Sequence, residues 1–266
     1  SSPSPRKPLE VINEWKNKYK DNINIIDFLP LDKEDFYLVH NKEHVDKIFS
    51  LKKKNGFSTK HQEIADSLDW TSASFYHAAK HALENKIGIS PTSGFHHAGY
   101  EQAWGYCTFN GLLITAVKLL NENLVKSIGL LDYDYHQGDG SEDIIHRFNL
   151  YDKIIHITGK SGYSREKDLF FEEMPFMLES LKDVDIILYQ AGADQHIDDP
   201  LGGFLTSEEM RKRDYLVLRF AKENNIPIVW NLAGGYQEEI NGEERSIQKV
   251  LDIHNATLEE TIKVYK

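Results

Sequence analysis

A single cysteine, Cys107, stands in this chain of 266 residues. No intrachain disulfide can form, and a reducing intracellular compartment, cytoplasm or nucleus, is the expectation. No apolar run approaches the roughly 18 residues needed to span a bilayer, and the opening residues lack the apolar stretch of a secretory signal. A soluble protein without a membrane partner is therefore expected. No run of Lys and Arg is longer than three residues, and with a formal charge of −11 this argues against direct nucleic-acid binding, which needs basic patches. Acidity of this kind serves solubility, and it suits cationic partners. The opening Ser-Ser-Pro-Ser-Pro-Arg-Lys-Pro has no apolar residue to bury, so residues 1–8 are expected to be a mobile tail, followed by one domain over residues 9–266.

What is present is an alternation of two periodicities. From about Ser127, short apolar runs rich in Ile, Leu and Val alternate with longer helical patterns, as in βαβ units feeding a parallel sheet. The expected strands are Ser127–Tyr133, Lys153–Thr158, Asp185–Gln190 and Ile226–Leu232. Phe109, Leu112, Leu113, Ala116, Val117 and Leu120 recur at steps of three and four and mark a helix with a wide apolar face. Thr206 with Glu209, and Thr257 with Glu260, match the capping box that opens a helix. Nearer the N-terminus, Phe36–His40 reads as a strand and Ser72–Glu84 as a helix. The fold class is α/β, a doubly wound, mainly parallel sheet with helices on both faces, in which ligands sit beyond the carboxyl ends of the strands.

Polar clusters follow three of those strand ends, and a fourth follows Ile89-Ser90-Pro91. They hold His96-His97, the run Asp132 to Gly140, Ala193-Asp194-Gln-His196, and Ala233-Gly-Gly235-Tyr236. In an extended chain side chains alternate, so Asp132, Asp134 and His136 project to one side at steps of two. Carboxylate oxygen and imidazole nitrogen both suit zinc, and a catalytic site wants three protein ligands plus an open position; Asp134, His136 and Asp194 can supply the three. An imidazole beside such an ion can accept a proton from water, provided that a carboxylate fixes its tautomer. For His96-His97 the available carboxylates are Asp132 and Asp139. Gly234 and Gly235 allow the sharp bend that brings the Tyr236 phenol into a narrow site, where it can donate to a developing oxyanion.

Taken together and in this order, these residues resemble the histone deacetylase and acetylpolyamine amidohydrolase superfamily. The likeness runs from Tyr37-Leu-Val-His40 to Tyr236. It rests on Gly94-Phe-His-His-Ala98, Gly105-Tyr-Cys-Thr-Phe-Asn110, Asp132 to Gly140, and Gly192-Ala-Asp-Gln-His-Ile-Asp-Asp-Pro-Leu-Gly202. It implies an arginase-like fold and a hydrolase, a zinc-dependent deacetylase, removing an acetyl or related acyl group from lysine in a peptide or protein, or from a polyamine. By the same likeness, Asp134, His136 and Asp194 would bind Zn2+, His97 would be general base and acid, and Tyr236 would polarise the carbonyl. His96 would pair with Asp132 and His97 with Asp139. Tyr106, with Gly105, Gly234 and Gly235, would line the substrate channel, and K+ would sit near the Asp132 backbone.

The sequence departs from the family pattern in places. Gln137 stands where many relatives have a second histidine, although glutamine also occurs in the class IV-like branch. The segment after His156 lacks the usual proline-glycine-rich loop, which leaves Tyr163 as the candidate for a second aromatic channel wall. A two-manganese ureohydrolase of the same fold would need another carboxylate where Gln137 and Gly138 stand. A non-catalytic acyl-lysine binding module would have no need of the full set of chemical residues. His77 and His81 share a helix face without the neighbouring Glu of a metalloprotease helix, and His196 is expected to be structural.

Overall fold

The computed structural model describes residues 5–159, 162–237, 239–241 and 244–266. Helices α1 (Lys7–Lys18), α2 (Lys33–Phe36), α3 (Lys42–Phe49), α4 (Gln62–Ala65) and α5 (Leu68–Asn85) precede the first strand, β1 (Ile87–Ser90). The alternation then runs α6 (Gly111–Asn121), β2 (Ile128–Asp132), α7 (Asp139–Arg147), β3 (Ile154–Thr158), α8 (Lys167–Glu179) and β4 (Ile186–Gln190). A single 3-10 turn (Ala193–Gln195), α9 (Ser207–Glu223), β5 (Ile228–Asn231), the short pair β6 (Glu239–Asn241) and β7 (Glu244–Ser246), and α10 (Gln248–Tyr265) complete the order.

Five strands form one parallel sheet in the order β1-β5-β4-β2-β3. Strands β2 and β4 are buried at every position, so neither side of the sheet needs a polar residue. Ile187 and Tyr189 turn toward one apolar layer, with Phe170 of α8, Val217 of α9 and Leu258 of α10, while Ile186 and Leu188 turn toward the other, with Phe75 of α5 and Leu112 of α6. Helices therefore cover both faces, as expected.

Two features of this topology position the site. After β2 the chain moves outward to β3, and after β4 it moves the other way to β5, so strand order reverses between β2 and β4. A crevice opens at such a reversal beyond the carboxyl ends. In addition, the register aligns the last residues of all five strands, Ser90, Asn231, Gln190, Asp132 and Thr158, as one polar row. All five are buried. They form the floor beneath the loops.

Four expectations need correction. Lys7 and Pro8, read as tail, open α1, and Lys7 is fully buried; the first four residues lie outside the described set. Phe36–His40 is not a strand, because the Asp32 and Asp35 capping box starts a helical turn there and the His40 N–H donates back to the Phe36 carbonyl. This turn still buries Phe36 and Val39, which explains the apolar signal. Thr257 opens no helix: it lies inside α10, where its hydroxyl donates to Asp214 at 2.6 Å. Tyr163 is no channel wall, since it is buried under the site and its hydroxyl donates to the Asp134 carbonyl at 2.5 Å. The Thr206 and Glu209 box does open α9.

Candidate metal centre and acid–base site

The loops after β2 and β4 bring Asp134, His136 and Asp194 together, with one ligand atom from each lying within 4.8 Å of the others. His136 Nδ1 is 3.1 Å from Asp134 Oδ1 and 3.0 Å from Asp194 Oδ2, close enough for one ion with bonds of about 2.0 to 2.2 Å to share them. Local hydrogen bonds hold this arrangement. The backbone N–H of His136 donates to Asp134 Oδ1 at 2.9 Å, and that of Tyr135 donates to Asp194 Oδ1 at 3.0 Å. Arg213, itself buried, donates to the Gly192 carbonyl at 2.7 Å and to Gln195 at 2.9 Å, clamping the turn that carries Asp194.

Electrostatics agree with a cation-binding cluster. Burial, then the Asp134 charge, pushes the Asp194 carboxyl up to about 7. Hydrogen bonds to Asp134 and Asp194 raise the His136 imidazole to about 10. Burial would lift Asp134 as well, but His96 and His136 outweigh it and hold that carboxyl well below the usual range. Two buried carboxylates so close together favour any positive charge placed between them. Space is reserved as well: a Cβ on Gly234 would come within 2.4 Å of Asp194 Oδ1 and 2.9 Å of Asp134 Oδ2. These donors fit a divalent metal.

Beside this cluster are two histidine–aspartate pairs. His96 Nδ1 lies 2.7 Å from Asp132 Oδ2, and both side chains are buried. His97 Nδ1 lies 2.6 Å from Asp139 Oδ1 at the start of α7, where the carboxylate is 45 % exposed. The rings of His96 and His97 are 4.1 Å apart between centroids, and His97 is 6.0 Å from His136. With Nδ1 committed to Asp139, the Nε2 atom of His97 is left for a reacting group. Burial alone would lower His96, yet the Asp132 and Asp134 charges hold it up at about 9.

Tyr236 is set by the turn before it. Gly234 and Gly235 have φ of +54° and +92°, a region that side-chain-bearing residues rarely adopt, and the Tyr236 N–H is anchored on Asp199 Oδ2 at 2.7 Å. Its ring lies 6.2 Å from His136 and 5.7 Å from Tyr106. Burial, then the Asp134 and Asp194 charges, pushes its phenol far above the ordinary range, so it remains a proton donor. All twelve residues singled out for the site thus gather at one end of the sheet, with Gly105 packed so closely on His97 that a Cβ there would lie 2.5 Å from Cδ2.

Several contributors carried no usable sequence signal. Gln190 donates to Asp132 Oδ1 at 2.8 Å and accepts from Phe95 N–H at 3.0 Å, which joins the β4 end to the histidine loop. Thr158 also donates to Asp132, at 3.3 Å, from the end of β3. Lys7 reaches in from α1 to donate to the Gly234 carbonyl. Burial lowers its ammonium to about 8 despite Asp194, Asp134 and Asp199 nearby. Trp104, between the two histidine-bearing and tyrosine-bearing motifs, lies 4.6 Å from His97. Gln137 turns away to donate to Glu142 at 2.5 Å. His196 pairs with Ser207 at 2.8 Å, away from the cluster.

The comparisons with known proteins point the same way. The model of the histone deacetylase domain matches residues 3–158 and 153–252. Histone deacetylase 2 of Arabidopsis thaliana is 27% identical over 184 residues, covering 60% of this chain and 47% of that protein. The acetylpolyamine amidohydrolase of Mycoplana ramosa is 25% identical over 171 residues, covering 53% and 49%. The chain thus spans about half the length of these curated relatives. Among solved structures, the HDA15 HD domain superposes with a TM-score of 0.75 at 17% identity, over 98% of this chain and 80% of that one, a likeness of fold. With the domain match extending over most of its length, the chain belongs to the histone deacetylase family.

Proposed function

We propose that the protein is a deacetylase, a hydrolase that uses one divalent metal, zinc by the family likeness, to remove an acetyl or related acyl group from the amine of a lysine side chain. The observation that carries this reading is the meeting of Asp134, His136 and Asp194 within 4.8 Å, with His97 and Tyr236 close by. An ion held by those three residues supplies a Lewis acid that polarises the amide carbonyl and acidifies water.

The chain's own groups complete the reaction. Nε2 of His97 takes a proton from the attacking water, while Asp139 on Nδ1 stabilises the imidazolium that forms. The Tyr236 phenol donates to the carbonyl oxygen as negative charge develops there. His97 then returns its proton to the departing amine nitrogen, and the acyl group leaves as a carboxylate. His96, pinned by Asp132, packs beside Asp134 and leaves the proton transfer to His97. An acylated polyamine presents the same amide and the same kind of carbon chain, and is the second substrate class to test.

The test is acetate release from an acetyl-lysine peptide and from an acetylated polyamine. Tyr236→Phe should lose about 10² to 10³ in turnover. It should bind as much metal as the wild-type protein. Equal turnover by the two proteins would remove Tyr236 from the chemistry, and the absence of acetate with either substrate would sink the reading.

A further inference from the structure

The loop between His97 and α6 presents an aromatic surface that the reaction scheme leaves without a role. Trp104 and Tyr106 remain 48% and 36% exposed, so both rings face solvent beside the site. Their exposure is imposed by the backbone. Gly105 and Tyr106 both adopt left-handed conformations, with φ of +56° and +64°, and the Cys107 N–H closes a turn on the Trp104 carbonyl at 2.9 Å. A left-handed tyrosine costs free energy, so the surrounding contacts must hold it. One of them is the hydrogen bond from the Tyr106 N–H to the Gly56 carbonyl at 3.1 Å.

This turn puts the two rings beside different catalytic groups. Trp104 lies against His97, with centroids 4.6 Å apart and planes inclined by 42°. Tyr106 lies toward Tyr236, with centroids 5.7 Å apart. In the proposed reaction Tyr236 serves the carbonyl oxygen and His97 the amide nitrogen, so the substituent carried by that nitrogen must leave the site past His97. It therefore passes along the exposed part of the indole. The geometry points to Trp104 as a specificity-determining residue: its indole is the wall that reads the unbranched carbon chain between the amide nitrogen and the rest of the substrate. This assignment rests on the deacylase reading and adds the amine side of the substrate to it.

An apolar wall rewards each methylene laid against it and ignores the acyl group on the other side of the carbonyl. The experiment uses one peptide carrying an acetylated side-chain amine on one, two, three or four methylenes. Wild-type protein should improve along the series, mainly through KM. Trp104→Ala should flatten the series, raising KM for the four-methylene substrate on the order of 10-fold while turnover at saturation changes little. Trp104→Phe, which restores a flat apolar face, should recover most of the gradient. A Trp104→Ala protein that keeps the wild-type gradient, or that loses turnover equally on all four substrates, would overturn the assignment alone. A wild-type protein that releases no acetate from any of the four would overturn the deacylase reading, and this inference with it.

Discussion

The two histidine–aspartate pairs come from neighbouring histidines, share one type of hydrogen bond and differ in nearly everything else. Asp132 is completely buried at the end of β2, and its two oxygens are engaged by His96, Gln190, Thr158 and the Asp134 N–H. Asp139 opens α7 at the surface and orients His97 from a carboxylate that water still reaches. The first pair is closed off from water and held on several sides, whereas the second rests on a carboxylate that is 45% exposed. Proximity in sequence thus says little about role. What separates the two is the strand end under one carboxylate and the helix start under the other.

That contrast can be broken most forcefully at Asp132. Asp132→Asn should destabilise the fold by about 3 to 5 kcal/mol, because it breaks a fully buried pair and takes from His96 its carboxylate partner. A urea melt would check this, and a midpoint equal to wild type would mean that Asp132 is not a structural anchor. At Asp139 the expectation is reversed. Asp139→Asn should leave the melt unchanged and lower turnover by about 10-fold to 100-fold, with an altered pH–rate profile. An unchanged profile would refute the His97 pairing.

A third buried histidine sharpens the comparison by lacking a carboxylate. His40 donates from Nδ1 to the Gly99 carbonyl at 2.9 Å and accepts the Asn110 N–H on Nε2 at 2.9 Å, which assigns the neutral tautomer. Burial, with the nearby His44, drives it down to about 3, opposite to His96. An unfolded histidine titrates near 6.5. The folded group is therefore depressed: its contribution is complete above about 6.5 and is lost as the pH falls toward 3. Each unit in that window should cost up to about 1.4 kcal/mol. His40→Asn, less stable at neutral pH, should show a smaller loss between pH 7 and pH 5 than wild type. Parallel losses would show that His40 does not titrate on unfolding.

Sequence alone marked four of the five parallel strands and the polar residues that gather beyond their ends, and the reason is physical. Strands such as Ile186–Gln190 are buried on both sides, so their apolar runs cannot be mistaken for loops, and the polar residues that end them stand out. What it did not carry are groups whose role depends on distant partners. Lys7 looked like part of a polar tail, yet it is fully buried against the carbonyl of a glycine 227 positions away. Gln190 is an ordinary strand end until the register sets it beside Asp132. Phe36–His40 has the apolar content of a strand, but Asp32 and Asp35 cap it into a turn. Trp104 gives no periodic signal, because a strained turn rather than an element aims it.

The proposed chemistry would depend on one ion held by Asp134, His136 and Asp194. Elemental analysis of the purified protein beside its Asp194→Asn variant is the direct measurement, with circular dichroism to establish that both are folded. The expected result is one divalent ion per wild-type chain and almost none in the folded variant. Two ions per chain, or a folded variant that keeps its metal, would contradict it.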